Sequence, residues 1–258
     1  MDLGLAGKQV LVTGGSKGIG LATAAAFAAE GADVVIVARD AAKVTAAAEA
    51  LAAQSGQTIV PLVADLSQDA GRQRLFETNP NVDILVNNAG AIPAGDIANV
   101  SMEAWREGWE LKVFGYIHLC QLYVAAMKAR GAGTIVNIIG MGGRAVNPGY
   151  IAGAAGNAAL IGFTNALGAE TPRSNVRVFG INPAPTLTDR IVTMSRTRAE
   201  IQLGDAERWR ETLNEDGLPF GRLKSPEEVG SLAAMLCAPQ VHYLSGTVID
   251  MDGGGQWT

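Results

Sequence analysis

The sequence predicts an α/β protein in which a seven-stranded parallel sheet lies between two layers of helices. Short β-rich apolar runs recur along the whole chain, at residues 8–13, 34–38, 58–63, 82–87, 134–139, 176–181 and 247–249. Ala- and Leu-rich segments of helical period separate them. The runs are apolar on both faces, which fits strands covered by helices on both sides, the environment of a parallel sheet.

The pattern continues to the last residues without a polar linker, so one domain is expected over residues 1–258. A chain with 48% hydrophobic and 17% charged residues can bury a full core. Its formal charge of -5 offers no basic face to a nucleic-acid backbone, so a small-molecule ligand is expected rather than nucleic acid. No stretch approaches the roughly 20 apolar residues of a spanning helix, so no membrane association and a cytoplasmic location are expected. Cys120 and Cys237 fall in apolar helical segments, as reduced buried thiols do, and His118 and His242 lack metal-ligand spacing. No metal site is expected.

The first strand runs into Thr13-Gly14-Gly15-Ser16-Lys17-Gly18-Ile19-Gly20, and a helical stretch follows. Glycines between a strand and a helix allow a tight turn and close approach of backbone to a pyrophosphate, whose charge meets the helix N-terminus. This is the signature of a Rossmann-type doubly wound sandwich that binds a dinucleotide.

The spacing resembles the TGxxxGxG motif of the short-chain dehydrogenase/reductase family. The resemblance continues through Ala64-Asp65-Leu66, Asn87-Asn88-Ala89-Gly90, Asn182-Pro183 with Thr188, and Asp252-Gly253-Gly254. It implies that Asp65 and Leu66 hold an adenine, that Asn88, Ala89 and Gly90 line the adenosine ribose and phosphate side, and that Pro183, Thr186 and Thr188 hold the nicotinamide amide. It also implies a homodimer or homotetramer, for which the long helical segments 105–128 and 151–170 offer surfaces. The family's Pro-Gly after the sixth strand is here Pro183-Ala184, which removes backbone freedom from that loop.

The end of the second strand reads Val37-Ala38-Arg39-Asp40, without the acid that accepts a ribose 2′-hydroxyl in NAD enzymes of this fold. A guanidinium there can pair with a 2′-phosphate, and Lys17 adds a second cation, so NADP(H) is preferred with NAD(H) possible. The alternative is an ordinary ion pair between Arg39 and Asp40.

Enzymes resembling this family use a Tyr as general acid/base, a Lys four residues later, a Ser at the end of the fifth strand and an Asn on a neighbouring helix. In this sequence the serine position falls on Gly140, the tyrosine position on Gly153 and the lysine position on Asn157, while aligning Gly115 places Lys112 at the asparagine. All four usual residues are absent, and Lys and Asn have exchanged helices. Lys112 is read as the substitute cation, holding a ribose or tuning an acid, and Asn157 as a partner of the ribose or of a relay water; the alternative for Lys112 is a solvated helix lysine. Tyr150 lies three residues before the expected tyrosine, on nearly the same helix face, as the candidate acid or as a packing aromatic at a helix start.

Gly140 and its neighbours open the floor of the site, with Met141 beside them, and Arg144 is read as an anion-selecting or a surface residue. Residues 189–216 are a possible substrate lid with Trp209 on its apolar face, or a helix pair that only packs. The function expected is an NADP(H)-dependent oxidoreductase acting on a carbonyl or alcohol with a rearranged proton-transfer site. The alternatives are a non-redox lyase or isomerase, or a silent NADP(H)-binding protein.

Overall fold

The computed structural model describes residues 2–213 and 217–257. Seven strands form one parallel sheet: β1 (Gln9–Thr13), β2 (Asp33–Ala38), β3 (Ile59–Val63), β4 (Ile84–Asn87), β5 (Gly133–Ile138), β6 (Val176–Pro183) and β7 (Val248–Met251). Their spatial order is β3-β2-β1-β4-β5-β6-β7. Among the described residues, eight α-helices cross over the faces: α1 (Gly18–Ala29), α2 (Ala41–Ser55), α3 (Asp69–Thr78), α4 (Met102–Trp109), α5 (Gly115–Arg130), α6 (Ile151–Glu170), α7 (Asp189–Leu203) and α8 (Pro226–Cys237). This is a Rossmann-type three-layer α/β sandwich, and the strands fall within two residues of the positions read from apolar runs.

The period of two along each strand sorts side chains between the layers. Val10 and Val12 on β1, with Val34 and Ile36 on β2, pack against Phe27 of α1, Val44 of α2 and Val229 of α8. Leu11, Val35 and Val37 point the other way, against Leu75 of α3 and Leu119 and Tyr123 of α5. Helices α1 and α8 approach so closely that a Cβ on Gly230 would lie 2.5 Å from the Ala22 carbonyl oxygen.

Strand order reverses at β1, flanked by β2 on one side and β4 on the other. The loops leaving these strands at their carboxyl ends therefore diverge, and the crevice between them is where ligands sit in doubly wound sheets.

Two details matter for the site. The segment read as one helix over 105–128 is α4 and α5 joined by a single π-turn, Glu110–Phe114, which carries Lys112. Residues 189–216 form α7 followed by a 3₁₀ stretch, Ala206–Thr212, that packs back on it through a Thr212 Oγ1 hydrogen bond to the Ser195 carbonyl. The expected lid thus begins as a packed helix, and its residues 214–216 lie outside the described residues.

Candidate active site

A cleft of about 1510 Å³ runs along the carboxyl ends of β1, β2, β4, β5 and β6. At one end the β1–α1 turn supplies Gly14, Ser16, Lys17, Gly18 and Ile19. Gly14 and Gly18 have φ of 67° and 54°, conformations that favour glycine. Gly20 stands behind them, where a Cβ would lie 2.2 Å from the Gly14 carbonyl oxygen. Lys17 caps α1 without any side-chain acceptor for the first amides, so the helix start presents donors to the cleft. The turn is fixed from β4: Asn88 Nδ2 donates to the Thr13 and Gly14 carbonyls, and Thr13 Oγ1 accepts from the Asn88 and Ala89 amides. Ala89 and Gly90 continue this wall.

Arg39 lines the cleft at the end of β2. The alternative pairing with Asp40 is not formed. Asp40 instead caps α2, accepting from the Lys43 amide at 3.1 Å, and pairs with Lys43 Nζ at 2.9 Å. Arg39 makes no hydrogen bond or ion pair among the described residues, and Lys43 stands beside it at the cleft wall. Sequence reading missed Lys43, although its place in the first turn of α2 was the available signal.

Leu66 lines the cleft beyond Arg39. The Asp65 carboxylate turns away to the Ser67 amide and hydroxyl, whose hydrogen bonds hold it below the usual carboxylate range, aided by the charges of Arg39 and Arg72. At the other end Pro183, Thr186 and Thr188 line the cleft. Ala184 takes the family's glycine position with a negative φ, its amide held by the Met251 carbonyl, so the loop needs no glycine.

Lys112, Tyr150 and Asn157 converge on the turn after β5. Lys112 Nζ donates to the Ile139 carbonyl at 2.5 Å. Its stem passes over Gly90, where a Cβ would lie 2.9 Å from Lys112 Cδ. Burial pushes the amine down to about 8, and the charge of Arg190 pushes the same way. Asn157 is 2% exposed, its amide 3.2 Å from where a Gly140 Cβ would stand, and its Oδ1 has no partner. The π-turn before α5 and helix α6 thus bring a cation and an amide to one turn from opposite sides.

Gly140 has φ 129° and ψ 145°, a conformation closed to serine without strain. Tyr150 begins α6, and its backbone is tied to Gly95 by the Ile151 amide. Its ring lies over Gly142 and Gly153: a Cβ on Gly153 would fall 1.9 Å from Tyr150 Cζ. Gly153 is therefore the seat of the Tyr150 ring. Burial raises this phenol above its ordinary value, and Arg190 opposes that.

Two expected substrate contacts lie elsewhere. Arg144 pairs with Asp250 at 2.8 Å, at the strand ends beside the cleft, because β7 brings that carboxylate next to the loop after β5. Trp209, under the Arg210 guanidinium, does not line the cleft, because the 3₁₀ stretch carries it past the end of α7. Met141 does line it, buried between the cleft and a smaller cavity of about 300 Å³. Arg190, which sequence reading missed, lines the cleft from the first turn of α7, with Nη2 donating to the Ile92 carbonyl at 2.7 Å.

A buried arginine holds the π-turn in place. Arg72, 1% exposed, donates to the carbonyls of Leu66 and Glu110 and to the Glu110 carboxylate, and pairs with Asp69. Sequence gave no sign of it, since arginine on a surface helix is ordinarily solvated.

A doubly wound sheet with a glycine-lined anion cradle at its switch point defines a dinucleotide-binding protein. The short chain dehydrogenase family matches residues 8–199, and the chain belongs to that family. It is an NAD(P)-dependent oxidoreductase by membership. It is 34% identical to galactitol 2-dehydrogenase (L-tagatose-forming) of Cereibacter sphaeroides, over 97% of this chain and 95% of that protein. It is 30% identical to the 3-oxoacyl-[acyl-carrier-protein] reductase of Chlamydia trachomatis, over 97% and 98%. Among solved structures, L-sorbose reductase from Gluconobacter frateurii complexed with NADPH and L-sorbose superposes with a TM-score of 0.93 at 31% identity, over 100% of both chains. No helix among the described residues is long and apolar enough to cross a membrane.

Proposed function

We propose that this protein interconverts a carbonyl and an alcohol with NADP(H), and that Lys112 exchanges the proton in place of the family's tyrosine and lysine. The observation that carries the reading is the half-buried Lys112 amine, fixed to the Ile139 carbonyl at the Gly140 turn and tuned to about 8. A general acid/base works best with a pKa near the operating pH, and the raised Tyr150 phenol is poorly matched.

The cradle fits the cofactor: Gly14, Ser16, Lys17, Gly18 and Ile19 would receive the pyrophosphate, with Gly20, expected to join them, packed behind the turn instead, and Arg39 with Lys17 and Lys43 would receive a 2′-phosphate. The Asp65 and Leu66 backbone would hold the adenine, Asn88, Ala89 and Gly90 the ribose side, and Pro183, Thr186 and Thr188 the nicotinamide amide. Bound there, NADP(H) supplies or accepts the hydride. In reduction the Lys112 ammonium gives its proton to the carbonyl oxygen; in oxidation the free amine takes one from the hydroxyl. Tyr150 donates a hydrogen bond to the same oxygen, and Asn157, whose Nδ2 faces Gly140 and Gly142, would donate to a ribose hydroxyl or a relay water.

Fluorescence titration with NADPH and NADH, followed by NADPH consumption across a carbonyl panel, tests the reading. It predicts tighter NADPH binding and measurable consumption. Tight binding without any consumption contradicts it.

We also infer a homodimer or homotetramer. The half-exposed Phe114 and Met102, on the surface of the α4–α5 unit, support it. Light scattering that reads the mass of one chain contradicts it.

A further inference from the structure

We propose that Arg190 makes the substrate end of the cleft a receptor for a carboxylate, so that the substrate is a small oxo acid or the matching hydroxy acid. The proposal deepens the oxidoreductase reading above and rests on it for the reaction, but not for the binding.

Arg190 sits in the first turn of α7, and its bond to the Ile92 carbonyl holds the guanidinium over the wall made by Ile92, Pro93 and Ala94. That bond uses one of five N–H donors. Arg190 makes no ion pair among the described residues. Its charge reaches both the Lys112 amine and the Tyr150 phenol, so the two cations and the phenol share one space.

Two acids line the cleft. Asp40 stands at the far end, paired with Lys43, which leaves Asp189 alone against Arg190 and Lys112. Two like charges facing one space are compensated when an anion binds between them. Gly140 and Gly142 present no side chain, leaving room on the floor. A hydroxyl next to a carboxylate fits this space: its oxygen lies with Lys112 and Tyr150, while the carboxylate takes the forked donors of Arg190. The other anion at hand is the cofactor pyrophosphate, and the experiment separates the two.

The test is calorimetric titration of the NADP⁺-saturated protein with lactate, glycerate and malate, each against its uncharged carboxamide, for wild type and Arg190→Gln. NADPH affinity is measured separately by fluorescence. At least one acid is expected to bind about tenfold or more tightly than its amide. Arg190→Gln is expected to erase that preference and leave NADPH affinity within about twofold. Equal affinities, no acid binding, or a preference that survives in R190Q overturns the proposal. An NADPH affinity that falls about tenfold in R190Q assigns the guanidinium to the cofactor and also overturns it. Selective acid binding without hydride transfer in either direction upholds the carboxylate site and defeats the oxidoreductase reading instead.

Discussion

At Lys112, burial and chemistry pull in opposite directions. The folded protein lowers the amine to about 8 from its ordinary 10.5, so between those values the unfolded chain binds more protons than the native one. Stability therefore rises with pH across that window, and below it the full penalty is present, on the order of 3 kcal/mol at most. Lys112→Met keeps the stem and removes the charge. It is expected to raise the unfolding free energy near neutral pH by about 1–3 kcal/mol, read by urea denaturation. The same change should lower kcat/KM by about 100-fold or more, the scale of general acid–base catalysis. Tyr150 and Gly153 form a second coupled pair, because the ring occupies the space of any side chain at 153. Gly153→Ala should cost about 1–3 kcal/mol in wild type and much less in a Tyr150→Ala background; equal costs in the two would show that the ring does not fill that space. The three-residue offset of Tyr150 was readable from spacing. The seat was not, since it depends on how the chain enters α6 from the bridge to Gly95.

Among the elements, the β2–α2 turn carries the proposed 2′-phosphate contact. Asp40 caps α2 by accepting from the Lys43 amide and pairs with Lys43 Nζ, and this leaves Arg39 open to the cleft. Arg39→Ala is expected to weaken NADPH binding about tenfold or more and to leave NADH binding nearly unchanged, measured by fluorescence titration. Equal losses for both would remove the 2′-phosphate contact. The seven strands were legible because a doubly covered strand must be apolar throughout, and the glycine loop because its spacing is fixed by the turn it makes. The π-turn carrying Lys112 was not legible, since one extra residue in a helix leaves no mark on composition; it is held by Arg72 from a different helix. Of the two readings of Arg144 the surface one fits its pairing with Asp250, and Trp209 lies outside the cleft, for a related reason. Their positions depend on β7 and on the 3₁₀ stretch after α7, and local sequence does not report contacts made across such distances.

For the whole molecule, the cleft joins two ends of different character. One end is the glycine turn after β1, and the other is the turn after β5 where Lys112, Tyr150 and Asn157 meet. Serine at 140 would meet a positive φ, and any side chain at 153 would meet the Tyr150 ring. The proposed reacting end is thus closely packed around these side chains. Its chemistry is read most directly by the pH dependence of kcat/KM for NADPH-driven carbonyl reduction, in wild type and in Lys112→Met. The account predicts a wild-type rate that falls as pH rises through an apparent value near 8, as the ammonium loses its proton, and a Lys112→Met profile that is low and lacks that limb. A Lys112→Met protein with undiminished kcat/KM and the same pH profile would contradict it.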